Sequence, residues 1–425
     1  MSTSLDTFDW FSVRQLQDSG VLRVEDGNHG EYRPRPHEFG DEGASLFVRA
    51  ADMSDNRILF DSAKAISDVA CRRIRKGIGF GGDILFSHKG TVGKVALAPL
   101  DAPEFVCSPQ TTFWRTEDEG ILDRQFLFAF LRSPFFIRQW FVRKGETDMA
   151  DYVSLTAQRE LMVPLPPVDW QRDVGLAVAA FDDLIENNRR RIEMLEEMAR
   201  LLYREWFVHF RFPGHEEVGL VDSDLGPIPE GWDVSPLGEA CLLVMGQSPK
   251  SEYYNDIGEG LPFHQGVTDF GPRFPTHTKW TTVDKREAEP GDILFSVRAP
   301  VGRINVASDR LVVGRGLSAI RAMDGNQNFL LTQLKEKFAV EDSIGGGTIF
   351  NAVTKKDMES IQLLKPISRV VEGFEAAAGP MADLIANLSR QNLILREARD
   401  LLLPRLVSGE LDVSELDLGL EAVGA

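Results

Sequence analysis

Two stretches of the chain space apolar side chains by alternating steps of four and three. In the first, Val174, Val178, Phe181, Ile185, Asn188, Ile192, Leu195, Ala199, Leu202 and Trp206 form one stripe; in the second, Phe374, Ala378, Met381, Ile385, Leu388, Asn392, Leu395, Arg399, Leu402 and Leu406 do the same. This is the a/d spacing of a coiled-coil seam, broken only by Asn188, Asn392 and Arg399. The segments also align without a gap, Asp183-Leu184-Ile185 on Asp383-Leu384-Ile385 and Leu201-Leu202 on Leu401-Leu402. A single stripe would as readily lie on a domain core; two matched copies point to mutual pairing. Antiparallel packing about midpoints near 190 and 390 brings Asn188 to Asn392. There a buried amide pair fixes register, because any slip leaves an amide against hydrocarbon; the equal alternative is that both amides tilt toward solvent or a partner protein.

Ahead of each helix the periodicity is short and strand-like. Residues 82 to 94 read GDILFSHKGTVGK and residues 291 to 303 read GDILFSVRAPVGR. Each predicts a turn, a short strand, a loop and a Gly-marked return strand. The differences concentrate in His88-Lys89-Gly90-Thr91 against Val297-Arg298-Ala299-Pro300, so a frame was duplicated and its loop diverged. Proline marks the boundaries, in VPLPPVDWQ before the first helix, HFRFPGHEEVGLVDSDLGPIPEGW after it and LLKPISR before the second, which should stop near Pro404 or fray through Leu406. The expected organisation is a mixed unit over 1–165, a helix over 166–210, a second mixed unit over 211–365 with an exposed acidic linker at 211–233, a helix over 366–408 and an acidic tail over 409–425. The class is α+β: two mixed α/β domains in a direct repeat, each followed by a long helix, with the two helices pairing as an antiparallel coiled coil.

Composition narrows the function. No apolar run approaches the ~20 residues of a membrane span, and Cys71, Cys107 and Cys241 form neither a CxxC pair nor an even framework. With no basic, apolar leader in MSTSLDTFDWF, a reduced cytoplasmic protein is expected. The net charge of -18 argues against a polyanionic partner until its distribution is read. Glu216, Glu217, Asp222, Asp224, Glu230 and Asp233, then Glu410, Asp412, Glu415, Asp417 and Glu421, stand without a nearby Lys or Arg. Arg72, Arg73, Arg75, Lys76, Lys89 and Lys94, in contrast, face Asp83 alone. Such patches suit nucleic acid, although local charge clusters also occur on ordinary soluble proteins. The chain lacks GxxxxGK[ST], HExxH and GxSxG, and its seven histidines show no metal-ligand spacing. It reads as a binder with no metal site or catalytic residue of its own.

The run LPPVDWQRDV followed by IENNRRRIEMLEEMARLLYREWFVHFRFPG, after a GDILFS unit and repeated more weakly as LIANLSRQNLILREARDLLLPRLVSGEL, resembles the specificity subunit of type I restriction-modification enzymes. The resemblance spans Trp10 to Leu411. It implies two target-recognition domains, each reading half of a bipartite, gapped site in double-stranded DNA. It also implies paired helices that space the readers and dock two methyltransferase subunits, and motor-nuclease subunits beyond them. This chain would hold no cofactor; S-adenosylmethionine, ATP and Mg would belong to those partners. The second helix departs from the first in ending LPRLVSG where the first has REWF. The alternative is a structural adaptor that scaffolds partner proteins through its helices.

Base edges are read by Arg, Lys, Asn and Gln, and phosphates by cations and amides. The expected DNA contacts are therefore Ser87, His88, Lys89 and Lys94 at the first loop, with Arg72, Arg73, Arg75 and Lys76 on phosphates. In the second domain they are Ser296, Arg298, Arg303, Lys279 and Arg315, with Gly346 and Thr348 of a glycine-rich turn. For any one of them, a solvated surface side chain is an equal alternative.

Overall fold

The computed structural model describes residues 8–147, 150–339 and 352–411. Contacts divide the chain into two compact units, one running to Glu186 and resuming at Asn392, the other running from Asn187 to Gln391. The division crosses both long helices, so each unit owns a half of each.

In the first unit, β1 (Leu22–Asp26), β2 (Ser45–Val48), β3 (Lys64–Ile66), β4 (Ile84–Ser87), β5 (Val95–Leu97), β6 (Phe105–Cys107) and β7 (Thr111–Thr116) build two sheets. One runs β1-β7-β4-β5 and then two short edge strands; the other contains β3-β2-β6, where β2 and β6 are parallel. Two helices follow, α1 (Arg124–Arg132) and α2 (Pro134–Phe141), capped by the side chains of Asp123 and Ser133. Trp114, Phe126, Phe130 and Phe136 fill the core, with Trp114 and Phe130 edge-on to Phe136 and Phe126 stacked on Phe130. The same core takes Val174, Ala177 and Val178 from α3 (Val168–Tyr203).

The second unit repeats the plan. Its β8 (Cys241–Met245), β9 (Leu261–His264), β10 (Trp280–Thr281), β11 (Ile293–Ser296), β12 (Ile304–Val306), β13 (Leu311–Val313) and β14 (Leu317–Ala322) give one sheet ordered β8-β14-β11-β12. The other contains β10-β9-β13, again with the β9–β13 pair parallel. Then comes α4 (Gln327–Lys337), whose Leu330 and Leu334 pack on Ile293, Phe295 and Ile320. The direct repeat seen in the letters is thus a repeat of strand order.

The long helices pair antiparallel within each unit. In the first, Leu403, Leu406 and Val407 of α5 (Ser368–Val407) share a core with Val174 and Val178, and Arg399 reaches Asp182 of α3 at 2.6 Å. That ion pair accounts for the one cationic residue in the seam. The Asn392 side-chain amide donates to the Ile185 carbonyl at 3.3 Å. In the second unit Asn188 donates to the Gln391 side chain at 3.5 Å, and the Tyr203 and Phe207 rings meet Phe374. Both amides therefore reach the opposite helix.

The helices reach close to the expected bounds of 166–210 and 366–408, but not in the simplest form. After Tyr203 the backbone widens into a π turn over Arg204–Val208, which sends Phe207 into a cluster with Trp232, Phe329 and Phe374. The other helix runs past Pro404 because Leu403, Leu406 and Val407 are buried behind it. REWF and LPRLV thus do the same job, anchoring a helix end in its unit's core. The acidic linker is not wholly exposed either: Phe212, Ile228 and Trp232 are buried while its carboxylates face out.

Candidate nucleic-acid interface

The repeated letters of the duplicated motif build a support for its loop. Gly82 and Gly291 turn at φ 87° and 89°, a region that glycine enters without strain. The aspartate that follows is buried in each copy. Asp83 accepts the Phe80 amide at 2.8 Å and Nε and Nη2 of Arg115 at 2.7 Å; Asp292 accepts the Glu289 amide at 2.8 Å and Nε and Nη2 of Arg321 at 2.7 and 2.8 Å. At the strand's far end the Ser87 hydroxyl accepts the Lys94 amide and the Ser296 hydroxyl the Arg303 amide, each at 2.8 Å. Gly93, at φ 104°, leaves room for the Trp140 ring, which an added Cβ would meet at 2.7 Å. Every repeated letter has a structural task, and the loop is what remains to vary.

This moves several expected contacts off the surface. Strands β4 and β11 are buried on both faces, so Ser87 and Ser296 have no outward side and serve the loop's own hydrogen bonds. His88 is buried, with Nδ1 3.2 Å from the Val153 carbonyl, and burial pushes its imidazole below the ordinary range. The Lys94 ammonium donates to the Ala50 and Met53 carbonyls at 2.9 and 2.8 Å, tying the loop to the neighbouring turn. Arg73 is spent on Glu38, at 2.9 and 2.6 Å, and its guanidinium holds that carboxyl well below the usual range.

The rest keep outward positions. Arg72 is exposed beside Asp68 at 3.5 Å, and Arg75 and Lys76 are exposed. Lys89 and Arg298 occupy the same step of the two loops, and each backbone bridges to the segment before the next helix, at Tyr152 and Ala352. Lys279, Arg303 and Arg315 are exposed; the Arg315 amide donates to the Ser248 hydroxyl at 3.2 Å. Gly346 and Thr348 lie outside the described residues.

Sequence reasoning missed a concave basic surface. Arg33, Arg49, Lys64 and Lys89 line a concavity of about 500 Å³ with Gln110, Ser108, Phe39 and Phe47. Strands β2 and β3, their flanking turns and the loop after β6 bring these residues together. Arg49 is held in place: its Nε and Nη2 contact the buried Asp52 carboxylate at 2.9 and 2.8 Å. Flexible cations around a fixed guanidinium form a surface that attracts and orients a polyanion. Lys279 is the counterpart of Lys64, since Lys64 pairs with Phe47 on β2 and the Lys279 carbonyl accepts the amide of Phe263 on β9.

Among the described residues no group of three or more His, Cys, Asp or Glu side chains could hold a metal ion, and no helix is long and apolar enough to cross a membrane.

No family model matches the chain. A Methanocaldococcus jannaschii protein assigned as the MjaX type I restriction enzyme specificity subunit is 30% identical over 378 residues, covering 86% of this chain and 87% of its own length. The MjaIX specificity subunit of the same organism is 26% identical over 96% of this chain and 95% of its own length. The crystal structure of the S subunit of a type I restriction-modification system from M. genitalium covers 96% of this chain and 99% of its own at a TM-score of 0.55, with 16% identity, a likeness of fold.

Proposed function

Because this chain belongs to the specificity subunits of type I restriction enzymes, we propose that each of its units reads one half of a bipartite, gapped site in double-stranded DNA for catalytic partners. One observation carries the reading: the same loop support is built twice, by Asp83 with Arg115 and Asp292 with Arg321, under loops whose exposed residues differ. A reader of two unlike half-sites needs that arrangement. One support suits equivalent docking, and two loops give two sequences.

The helices suit two copies of one partner. Leu184, Met194 and Leu201 are exposed on α3, and the residues that align with them, Leu384, Ile394 and Leu401, are exposed on α5. Methyl transfer and DNA translocation fall to partners, two methyltransferase subunits and motor-nuclease subunits. These carry S-adenosylmethionine, ATP and Mg, and the complex works in the cytoplasm. The test is co-expression with a methyltransferase of a type I system from the same genome. The account expects co-purification, duplex binding that weakens steeply with salt as counterions are released, and no methylation by this chain alone. A chain that neither associates with that partner nor binds DNA contradicts it.

A further inference from the structure

The repeat allows the two units to be matched residue by residue. In the first, Phe47 and Val48 of β2 pair with Val106 and Cys107 of β6, and the His88 amide donates to the Gln110 carbonyl. In the second, Phe263 and His264 of β9 pair with Val312 and Val313 of β13, and the Val297 amide donates to the Gly316 carbonyl. The residue just beyond the first strand is therefore Arg49 in one unit and Gln265 in the other.

The surroundings of this position match in charge. Lys64 and Lys89 flank Arg49; their counterparts in the second unit are Lys279 and Arg298, with Arg315 on the adjoining loop. Those neighbours are long, exposed side chains suited to phosphates. The two central side chains differ from them in being hydrogen-bonded to a neighbouring side chain. Arg49 is braced by buried Asp52 through Nε and Nη2, a pairing that does not engage the Nη1 end of its part-exposed fork. Gln265 is exposed, and its Oε1 accepts the Ser248 hydroxyl at 3.2 Å, the same hydroxyl that receives the Arg315 amide. A braced planar group gives up little freedom on pairing and rejects a wrong partner, which a loose ammonium cannot do.

On the reading proposed above, we infer that Arg49 and Gln265 are the equivalent base-reading residues of the two units. Arg49 selects guanine in one half-site and Gln265 selects adenine in the other. The guanidinium end matches the two acceptors of guanine, O6 and N7, and the glutamine amide matches the N6 donor and N7 acceptor of adenine. The flanking cations hold the backbone on either side.

Gln265 gives the cleaner test, because removing Arg49 also strands the buried Asp52 carboxylate. The full chain is purified with its methyltransferase partner, and the wild-type site is read by mapping methylated adenines. Affinities are then measured against a set of duplexes in which each base pair of that site is replaced in turn. For Q265A, discrimination at one adenine-containing position of one half-site should fall about ten- to hundred-fold, with every other position unchanged. For Q265R, the preferred base at that position should become guanine. K279A should weaken the whole set evenly. An unaltered pattern in Q265A, or an even loss across the set as K279A gives, overturns the assignment. A wild-type complex that modifies no gapped site removes the reading beneath it instead.

Discussion

Removing the motif aspartate should cost the two units different amounts, although its letters and hydrogen bonds are the same in both. In D83A the Arg115 guanidinium stays where it is, its side chain only 20% exposed and sandwiched between Phe80 and Phe113 at 4.8 Å from each ring. It keeps the Ile78 carbonyl at 3.3 Å but loses its counter-charge, and the Phe80 amide loses its acceptor. Stranding a largely buried charge costs about 3–5 kcal/mol. In D292A the Arg321 side chain is 44% exposed and turns to water, leaving mainly the lost bonds and the bare Glu289 amide, about 1–3 kcal/mol. The first substitution should therefore exceed the second by about 2 kcal/mol, and R115M added to D83A should recover most of the difference. With two units in one chain a single melting curve is ambiguous, so the assay is amide exchange at Ile84–Ser87 and Ile293–Ser296, each reporting its own unit. Equal losses of protection, or a larger loss in D292A, would refute the burial argument.

Three further outcomes follow from the geometry. Gly93→Ala should destabilise the first unit by about 1 kcal/mol more than Gly302→Ala does the second, because the added methyl meets Trp140 at 2.7 Å but Phe338 only at 3.4 Å; hydrogen exchange reads both. Burial, with His277 alongside, pushes the His264 imidazole down to about 4 from 6.5, so the unfolded chain takes up a proton at a higher pH than the folded unit does. Stability is full above 6.5 and falls toward 4 by up to about 3 kcal/mol; amide-exchange protection at Ile293–Ser296, measured at several pH values, checks it, and H264Q should flatten the dependence. Four residues inserted near the middle of α3 add ~6 Å against ~3.4 Å per base pair, so the recognised gap should grow by one or two base pairs with half-sites unchanged. An active variant with the original gap would show that the helices do not set it.

What the letters disclosed, and what they hid, has a physical pattern. The heptad seam and the GDILFS frame were legible because their logic is local: spacing along one helix, or a turn and a strand read in order. Ser87, His88 and Ser296 were expected on the surface because polar residues beside a loop suggest an exposed face, whereas a strand covered on both sides, and the residue that follows it, have none; half-buried Lys94 is drawn instead to two backbone carbonyls. The concavity holding Arg33, Arg49 and Lys64 was invisible because it depends on the parallel pairing of β2 with β6, a contact between distant segments with no local signature. The braced Arg49 carries a faint signal, Asp52 three positions on with its buried carboxylate, which means little until burial is known.

The most direct measurement is the pattern of methylated adenines in cells that express this chain with its methyltransferase. The account predicts one motif of two short specific blocks separated by a fixed run of unspecified bases, absent when this chain is deleted. A continuous motif, a single block, or the same pattern without the chain would contradict it.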